Sequence, residues 1–377
     1  MIFSIDRDVL LNHLLIVQKG LPSKTPYPVL NAIKIEVEED YILFTASNSD
    51  ISIQVHLEDR KTLNVIQSGK VAVSGKYFIE IIKRVSSQRV EIALIEDKLI
   101  SIKADRSDFK LHLFDYEDYP AIDFLDLDDP VLMDSKMLKE IIKETNFATA
   151  TSEKRPILTG VNFKYKDNGL FCVATDSYRL AQKNIKLRTH SKFFDIVIPN
   201  KSLDDLTKII DNYNNDIEVF VNPNKVLFKI DNILFQTRLL EGTYPDTERI
   251  IPTEFPVIIP FNKEELLGAV ERVSLLSPKD SGNNLNFIKL NLREDRVVEI
   301  SSTSSEIGDA QEEIIPTGDV NGAYIKISFS SKYLIESLKS FNSQEVILSF
   351  AGEVRPFIIK GNLEQDLLHL ILPVRVD

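Results

Sequence analysis

Hydrophobic positions along the chain follow two periods that succeed each other in a fixed order. Ile2-Phe3-Ser4-Ile5 alternates as a short strand, and Asp6 then stands as a helix N-cap before Val9, Leu10, His13, Leu14 and Val17 at helical spacing, with Gly20 as a stop. The succession recurs as Val131-Leu132-Met133, Asp134, then Met137, Leu138, Ile141, Ile142 and Thr145. A third copy reads Val257-Ile258-Ile259, Asn262, then Leu266, Leu267, Val270 and Val273. The caps at 6, 134 and 262 lie 128 residues apart (134 − 6 and 262 − 134). A constant spacing over degenerate copies means one structural unit used three times.

Strand patterns continue in step. Ala32 to Glu36 and Tyr41 to Ala46 answer Val161 to Tyr165 and Gly169 to Ala174, then Phe287 to Leu292 and Val297 to Ser302. A second strand-to-helix step follows in each copy: Val71 to Val73 into Lys76 to Val85, Ile196 to Ile198 into Lys201 to Ile210, and Ile325 to Ile327 into Lys332 to Phe341. Closing strands end each unit, in the first copy Val90 to Leu94, Leu99 to Ala104 and Phe109 to Phe114. The pattern predicts β-α-β-β-β-α-β-β-β per unit: two helices on one face of an antiparallel sheet, an α+β arrangement. Copies of this size are full domains rather than solenoid repeats. With linkers at Asp123 to Asp129 and Pro252 to Pro256, the domains are expected at 1–122, 129–252 and 253–377.

One polar turn carries the repeat into candidate chemistry. Ala174-Thr175-Asp176-Ser177-Tyr178-Arg179-Leu180 stands 128 residues after Ala46-Ser47-Asn48-Ser49-Asp50 (174 − 46) and 128 before Ser302-Thr303-Ser304-Ser305-Glu306 (302 − 174). Asp176, Tyr178 and Arg179 form the best acid–base cluster for an enzyme reading, but no Gly-rich phosphate loop or metal-spaced His/Cys/Asp set accompanies them, and no cofactor or metal is expected. The single cysteine, Cys172, rules out an intramolecular disulfide and sits in a strand pattern as a small buried hydrophobe. No apolar run reaches membrane-spanning length, so the expected location is the cytoplasm. A formal charge of −12 speaks against nucleic acid only if the charge is evenly spread.

Three such units, with Arg155-Pro156-Ile157-Leu158-Thr159-Gly160, the Ala174 to Leu180 turn, Leu239-Leu240-Glu241-Gly242-Thr243-Tyr244-Pro245-Asp246 and the closing Leu372-Pro373-Val374-Arg375, resemble the bacterial sliding clamps, the beta subunits of DNA polymerase III. The resemblance covers the whole chain. It implies a head-to-tail homodimer forming a six-domain ring threaded by double-stranded DNA without sequence preference, and a non-catalytic processivity role. A protein scaffold with no DNA in the ring is the alternative.

Lys136, Lys139 and Lys143 make one stripe of a helix opposite Leu138, Ile141 and Ile142; taken alone this is a solvated face. The resemblance makes it, with Lys201, a DNA-facing surface, and implies Lys24 and Arg155 as direct contacts. It further implies a cleft that takes short Leu/Phe-containing peptides of the polymerase, the clamp loader and other proteins carrying a clamp-binding motif. That cleft is expected to be lined by Leu158, Gly160, Thr175, Ser177, Tyr178, Arg179, Leu180, Pro245, Arg249, Ile250, Tyr333, Val354, Pro356, Leu370, Leu372, Pro373, Val374 and Arg375. Singly, Ile250 and Leu370 read as ordinary core. Many relatives carry Gly-His at Ser177-Tyr178 and Met-Pro-Met at Leu372-Pro373-Val374. The dimer contact maps to Lys76, Arg106, Phe109 and Leu111 on one side, and to Leu275, Leu276, Glu306, Asp309 and Glu312 on the other.

Overall fold

Helix caps and turns repeat at the spacing of the sequence. In the computed structural model, which describes all residues except 97, 125–128, 188–192, 212, 278–285, 323 and 375–377, Asp6 Oδ1 accepts hydrogen bonds from Asp8 N and Val9 N. Asp134 Oδ1 accepts from Lys136 N and Met137 N, and Asn262 Oδ1 from Glu265 N. Each cap satisfies amides that the first helical turn leaves open. The polar turn is equally regular. Asn48 accepts from Asp50 N and Ile51 N, Asp176 from Tyr178 N and Arg179 N, and Ser304 from Glu306 N and Ile307 N.

The first repeat runs β1 (Ile2–Asp6), α1 (Arg7–Val17), β2 (Ala32–Val37), β3 (Ile42–Ser47), β4 (Ile51–Leu57), β5 (Asn64–Gln67), β6 (Gly69–Ser74), α2 (Gly75–Arg84), β7 (Arg89–Glu96), β8 (Leu99–Ala104) and β9 (Ser107–Phe114). The second runs β10 (Val131–Asp134), α3 (Ser135–Thr145), β11 (Gly160–Lys166), β12 (Gly169–Thr175), β13 (Arg179–Lys186), β14 (Phe194–Pro199), α4 (Asn200–Ile210), β15 (Asp216–Val221), β16 (Lys225–Ile230) and β17 (Ile233–Arg238). The third runs β18 (Val257–Asn262), α5 (Lys263–Ser274), β19 (Phe287–Leu292), β20 (Val298–Ser304), β21 (Gly308–Ile314), β22 (Ile325–Ser330), α6 (Ser331–Ser340), β23 (Glu345–Phe350), β24 (Phe357–Gly361) and β25 (Leu367–Ile371).

All six expected helices are present, but each repeat holds one more strand between its helices than the pattern predicts. The additions are β4, β13 and β21, the strands that leave the polar turn, and the first repeat also has the short β5. The alternation of Ile51, Ile53, Val55 and Leu57 is clear, whereas Gly308-Asp309-Ala310-Gln311-Glu312-Glu313 carries almost no hydrophobic signal.

Packing divides the chain differently from the repeat. One compact unit holds 1–139 and 201–239; the other holds 140–200 and 240–377. The middle repeat is shared because its two half-sheets belong to different continuous sheets. In the first unit the antiparallel order is β10-β15-β16-β17-β4-β3-β2-β6-β9-β8-β7-β1-β5, with β17 paired to β4. In the second it is β14-β11-β12-β13-β25-β24-β23-β18, with β13 paired to β25, beside a separate sheet β21-β20-β19-β22. One face of each sheet is dry: Leu266, Val270, Ile288, Leu290, Phe329, Leu334, Leu338 and Phe350 form the centre of the third repeat's core.

Candidate functional site

The candidate cleft is built on the turn between β12 and β13. Thr175 Oγ1 donates to Arg179 O at 2.6 Å, and Asp176 accepts from Tyr178 N and Arg179 N at 2.9 and 3.0 Å. Ser177, between them, has φ +80°, a left-handed conformation that favours glycine. The Tyr244 hydroxyl accepts from Thr175 N at 3.1 Å, which ties the loop carrying Pro245 to the turn. On the other side, β13 lies beside β25 with Leu180 opposite Leu370, and Leu372 N donates to Tyr178 O at 2.9 Å. Val374 N donates to Ser328 O at 2.7 Å, so the tail is fixed through Val374.

These constraints bring most of the expected residues together in the second unit. Leu180 and Leu370 cluster with Val173 and Ile358, and Tyr244, Ile251, Phe255, Leu368 and Leu372 pack against them. Leu158, Gly160, Leu180 and Leu370 are buried. A Cβ on Gly160 would stand 2.4 Å from Ile198 O, so only glycine fits there. Pro356, Leu372, Pro373 and Val374 are half-buried, while Ser177, Tyr178, Pro245, Arg249, Ile250 and Val354 are exposed. Leu370 therefore is core, as its pattern indicates, whereas Ile250 is not. Arg375 lies outside the described residues.

Arg179 differs from its expected role as an open lining group. It is buried, bonded to Asp176 Oδ2 at 3.0 Å, to Glu336 and to Phe147 O, and its guanidinium lies 4.5 Å from the Tyr333 ring centroid and 5.2 Å from that of Phe147. A guanidinium buried at this depth is stable only because all its neighbours are acceptors or ring faces. Burial raises the pKa of Asp176, which Arg179 opposes, and pushes the Tyr333 phenol up to about 12. Asp176 and Arg179 thus spend their polar atoms on the turn, on each other, on Glu336 and on Phe147 O.

Behind the cleft lies a polar seam that the sequence did not disclose. Lys183 reaches Glu144 at 2.8 Å and Asp366 at 3.0 Å. His369, fully enclosed, meets Ser337 Oγ through Nδ1 at 2.6 Å and Glu144 O through Nε2 at 3.0 Å, so the carbonyl fixes the proton on Nε2. Burial lowers its pKa to about 3. Tyr244, Ile251, Phe147, Glu336, Lys183 and His369 are further residues of this region. Only Tyr244, inside the Tyr-Pro pair shared with Tyr119-Pro120, carried a sequence signal.

The candidate DNA-facing cations fall into two groups. Lys24, Lys136, Arg155 and Lys201 are exposed and have no carboxylate within 4.0 Å among the described residues. Lys139 is half-buried and paired with Asp211 at 3.7 Å, and Lys143 donates to Asn342 Oδ1 at 2.6 Å. In the first unit, Lys76 and Phe109 line a groove of about 790 Å³ with Leu21, Tyr77, Ile81 and Arg84; Arg106 is exposed and Leu111 half-buried. In the second unit, Leu275 is 77% exposed, Leu276 is half-buried, and Glu306 and Asp309 are exposed. Glu312 already binds Arg272 within its own chain.

Among the described residues no group of three or more His, Cys, Asp or Glu is placed to hold a metal, and no helix is long and apolar enough to cross a membrane. Cys172 is buried, and burial raises its thiol pKa, which removes it as a nucleophile.

Three repeats joined by strand pairing, with an apolar cluster around Leu180, Leu370 and Leu372 at one junction, define a three-domain clamp protein. The family models of the DNA polymerase III beta subunit match in order: the N-terminal domain at residues 1–123, the central domain at 132–246 and the C-terminal domain at 248–375. The chain is 39% identical over 377 residues to the beta sliding clamps of Staphylococcus epidermidis and Staphylococcus aureus, covering 99% of both sequences in each case. The crystal structure of the Bacillus subtilis DNA polymerase sliding clamp superposes with TM-score 0.95 at 37% identity, and that of the Streptococcus pyogenes beta subunit with 0.94 at 34%, each covering 100% of both chains. The chain belongs to the DNA polymerase III beta sliding clamp family.

Proposed function

We propose that this clamp works as a head-to-tail homodimeric ring around duplex DNA, sliding without sequence preference and tethering the polymerase, the clamp loader and other partners through the cleft beside Leu180 and Leu372. The observation that carries the ring is an unfinished repetition. The last strand of the second repeat, β17, pairs with β4 of the first, and the last strand of the third, β25, pairs with β13 of the second. The remaining equivalents are β9 and β21. β21 ends its sheet, and Ser107 to His112 of β9 pair only with β8 among the described residues.

The register follows from the two internal joints. Phe235 lies opposite Ile53 and His369 opposite Ala181. Phe109 holds the place of Phe235 and His369 in its hairpin, and Ala310 the place of Ile53 and Ala181. Pairing Phe109 with Ala310 of a second copy sets Lys110 opposite Asp309 and Arg106 opposite Glu313, two opposite-charge pairs that favour this alignment. The exposed Leu275 is the counterpart of Phe147, whose ring packs 5.1 Å from His369. Leu275 would fill the groove floored by Tyr77, Ile81 and Phe109 in the same manner.

Inside such a ring, Lys24, Lys136, Arg155 and Lys201 attract phosphates without reading bases, while the net charge of −12 keeps the outer surface off DNA. The test is topological. Loaded protein should stay on nicked circular DNA and run off linear DNA, with a native mass near twice the chain's 42.9 kDa. Equal retention on both DNA forms, or a monomer at micromolar concentration, overturns the proposal.

A further inference from the structure

We infer that the outer face of β11, β12 and β13, roofed by the loop 243–253, is an accessory docking groove for an acidic, aromatic-containing extension of the peptide held in the cleft. The inference rests on the cleft reading above and adds to it a second ligand segment of stated charge. The groove has a volume of about 1540 Å³. Strand register sets Lys164 beside Phe171 and Phe171 beside Asn184, with Lys166, Gly169 and Lys186 in the next row. Gly169 contributes no side chain, and the Phe171 ring leans over it, 3.0 Å from where a Cβ would stand.

Two observations assign the occupant. The first is continuity. Leu180, Gln182, Asn184 and Lys186 alternate onto one face of β13, so the cleft and the groove share one unbroken strand surface, and Val173, Tyr244 and Ile251 contribute to both. A peptide anchored at Leu180 that continues along the strand enters the groove.

The second is charge. Three of the four acids that line the groove have partners: Asp246 with Arg249 at 3.0 Å, Asp195 with the Asn162 amide at 2.7 Å, and Asp167 with Lys166 at 3.8 Å. Glu248 on the roof is the fourth. Lys164 and Lys186 have no carboxylate within 4.0 Å among the described residues, in a chain whose net charge is −12. Unpaired lysines flanking a half-exposed aromatic ring match carboxylates beside an aromatic side chain.

The experiment measures binding of the full chain to synthetic peptides by fluorescence anisotropy at low salt. One peptide carries only the Leu and Phe anchors; two carry an added Asp-Asp-Phe segment, one at each end, and a control carries Lys-Lys-Phe. One acid-extended peptide should bind about five- to tenfold tighter than the short one. Lys164→Ala with Lys186→Ala should abolish that gain and leave the short peptide's affinity and the melting temperature unchanged. The inference is overturned if neither extension helps, if the lysine control gains equally, if the double variant keeps the gain, or if a thymidine oligonucleotide displaces the extension. Failure of the short peptide alone, with lysine-dependent binding of an extended one, would overturn the cleft and leave the groove standing. Failure of every peptide overturns both.

Discussion

The joint between β4 and β17 and the joint between β13 and β25 are built on the same frame. Gln236 lies opposite Ser52 as Leu370 lies opposite Leu180, and Arg238 N donates to Asp50 O as Leu372 N donates to Tyr178 O. The side chains on that frame are opposite in character. Ser52, Gln236 and Arg238 stand in the first joint where Leu180, Leu370 and Leu372 stand in the second. The first joint is also closed, because Gln236 Nε2 donates to Asp123 O at 3.0 Å. One backbone therefore carries polar side chains in one place and an apolar cluster in the other. The difference lies in three or four residues.

A third joint of this frame is expected only between two copies, and breaking it should have the largest effect. Leu275→Asp with Leu276→Asp places charge where an apolar contact must form, at a cost of several kcal/mol. Light scattering should then report monomers, and retention on circular DNA should vanish. A stable dimer of the variant would show that the third joint differs from the two internal ones.

Grafting the first joint onto the second comes next. Leu372→Arg should weaken an anchor peptide at least tenfold, about 1.4 kcal/mol, with the fold kept because Leu372 is only half-buried. Leu180→Ser should weaken it further and cost about 3 kcal/mol of stability, since that side chain is fully enclosed. Unchanged peptide affinity in both variants, by calorimetry, would mean that apolar lining does not distinguish the two joints.

Acid should also separate the joints. Phe235 in the first corresponds to His369 in the second. His369 is held to a pKa of about 3 by burial, against about 6.5 unfolded, so as pH falls the unfolded chain binds the proton first. Its contribution to stability is full above pH 6.5 and declines from there toward pH 3. At pH 4.5 the loss is on the order of 2–3 kcal/mol from this one group. Hydrogen exchange at pH 7 and pH 4.5 should show the second unit loosening more than the first, and His369→Phe should remove the difference while costing about 1–3 kcal/mol at neutral pH through the abandoned Ser337 and Glu144 partners.

The smallest expected effect is at the turn itself. Ser177 takes φ +80°, a strained choice for any residue but glycine. Ser177→Gly should raise stability by about 1 kcal/mol, readable as a shift of a few degrees in Tm. A loss of stability would mean that contacts such as Arg155 Nη1 to Ser177 Oγ at 3.4 Å outweigh the strain.

Local chemistry was legible in the chain without its fold. The caps at Asp6, Asp134 and Asn262, the six helices, the threefold repeat and the turn acceptors Asn48, Asp176 and Ser304 all depend on residues within a few positions of each other. Leu180, Leu370 and Leu372, which the fold gathers into one apolar cluster, were singled out in the sequence only through the resemblance. What only the tertiary structure decided involves partners far apart in the chain: β13 beside β25, the burial of Arg179 between Phe147 and Tyr333, and the placing of Lys183 between Glu144 and Asp366. Strand β21 illustrates the reason. Its sequence Gly308-Asp309-Ala310-Gln311-Glu312-Glu313-Ile314 lacks hydrophobic alternation because much of it is exposed at the sheet edge, and its strand conformation comes from the ladder with β20. Propensity acts on neighbours in sequence, whereas ladders, buried charges and clefts are made by neighbours in space.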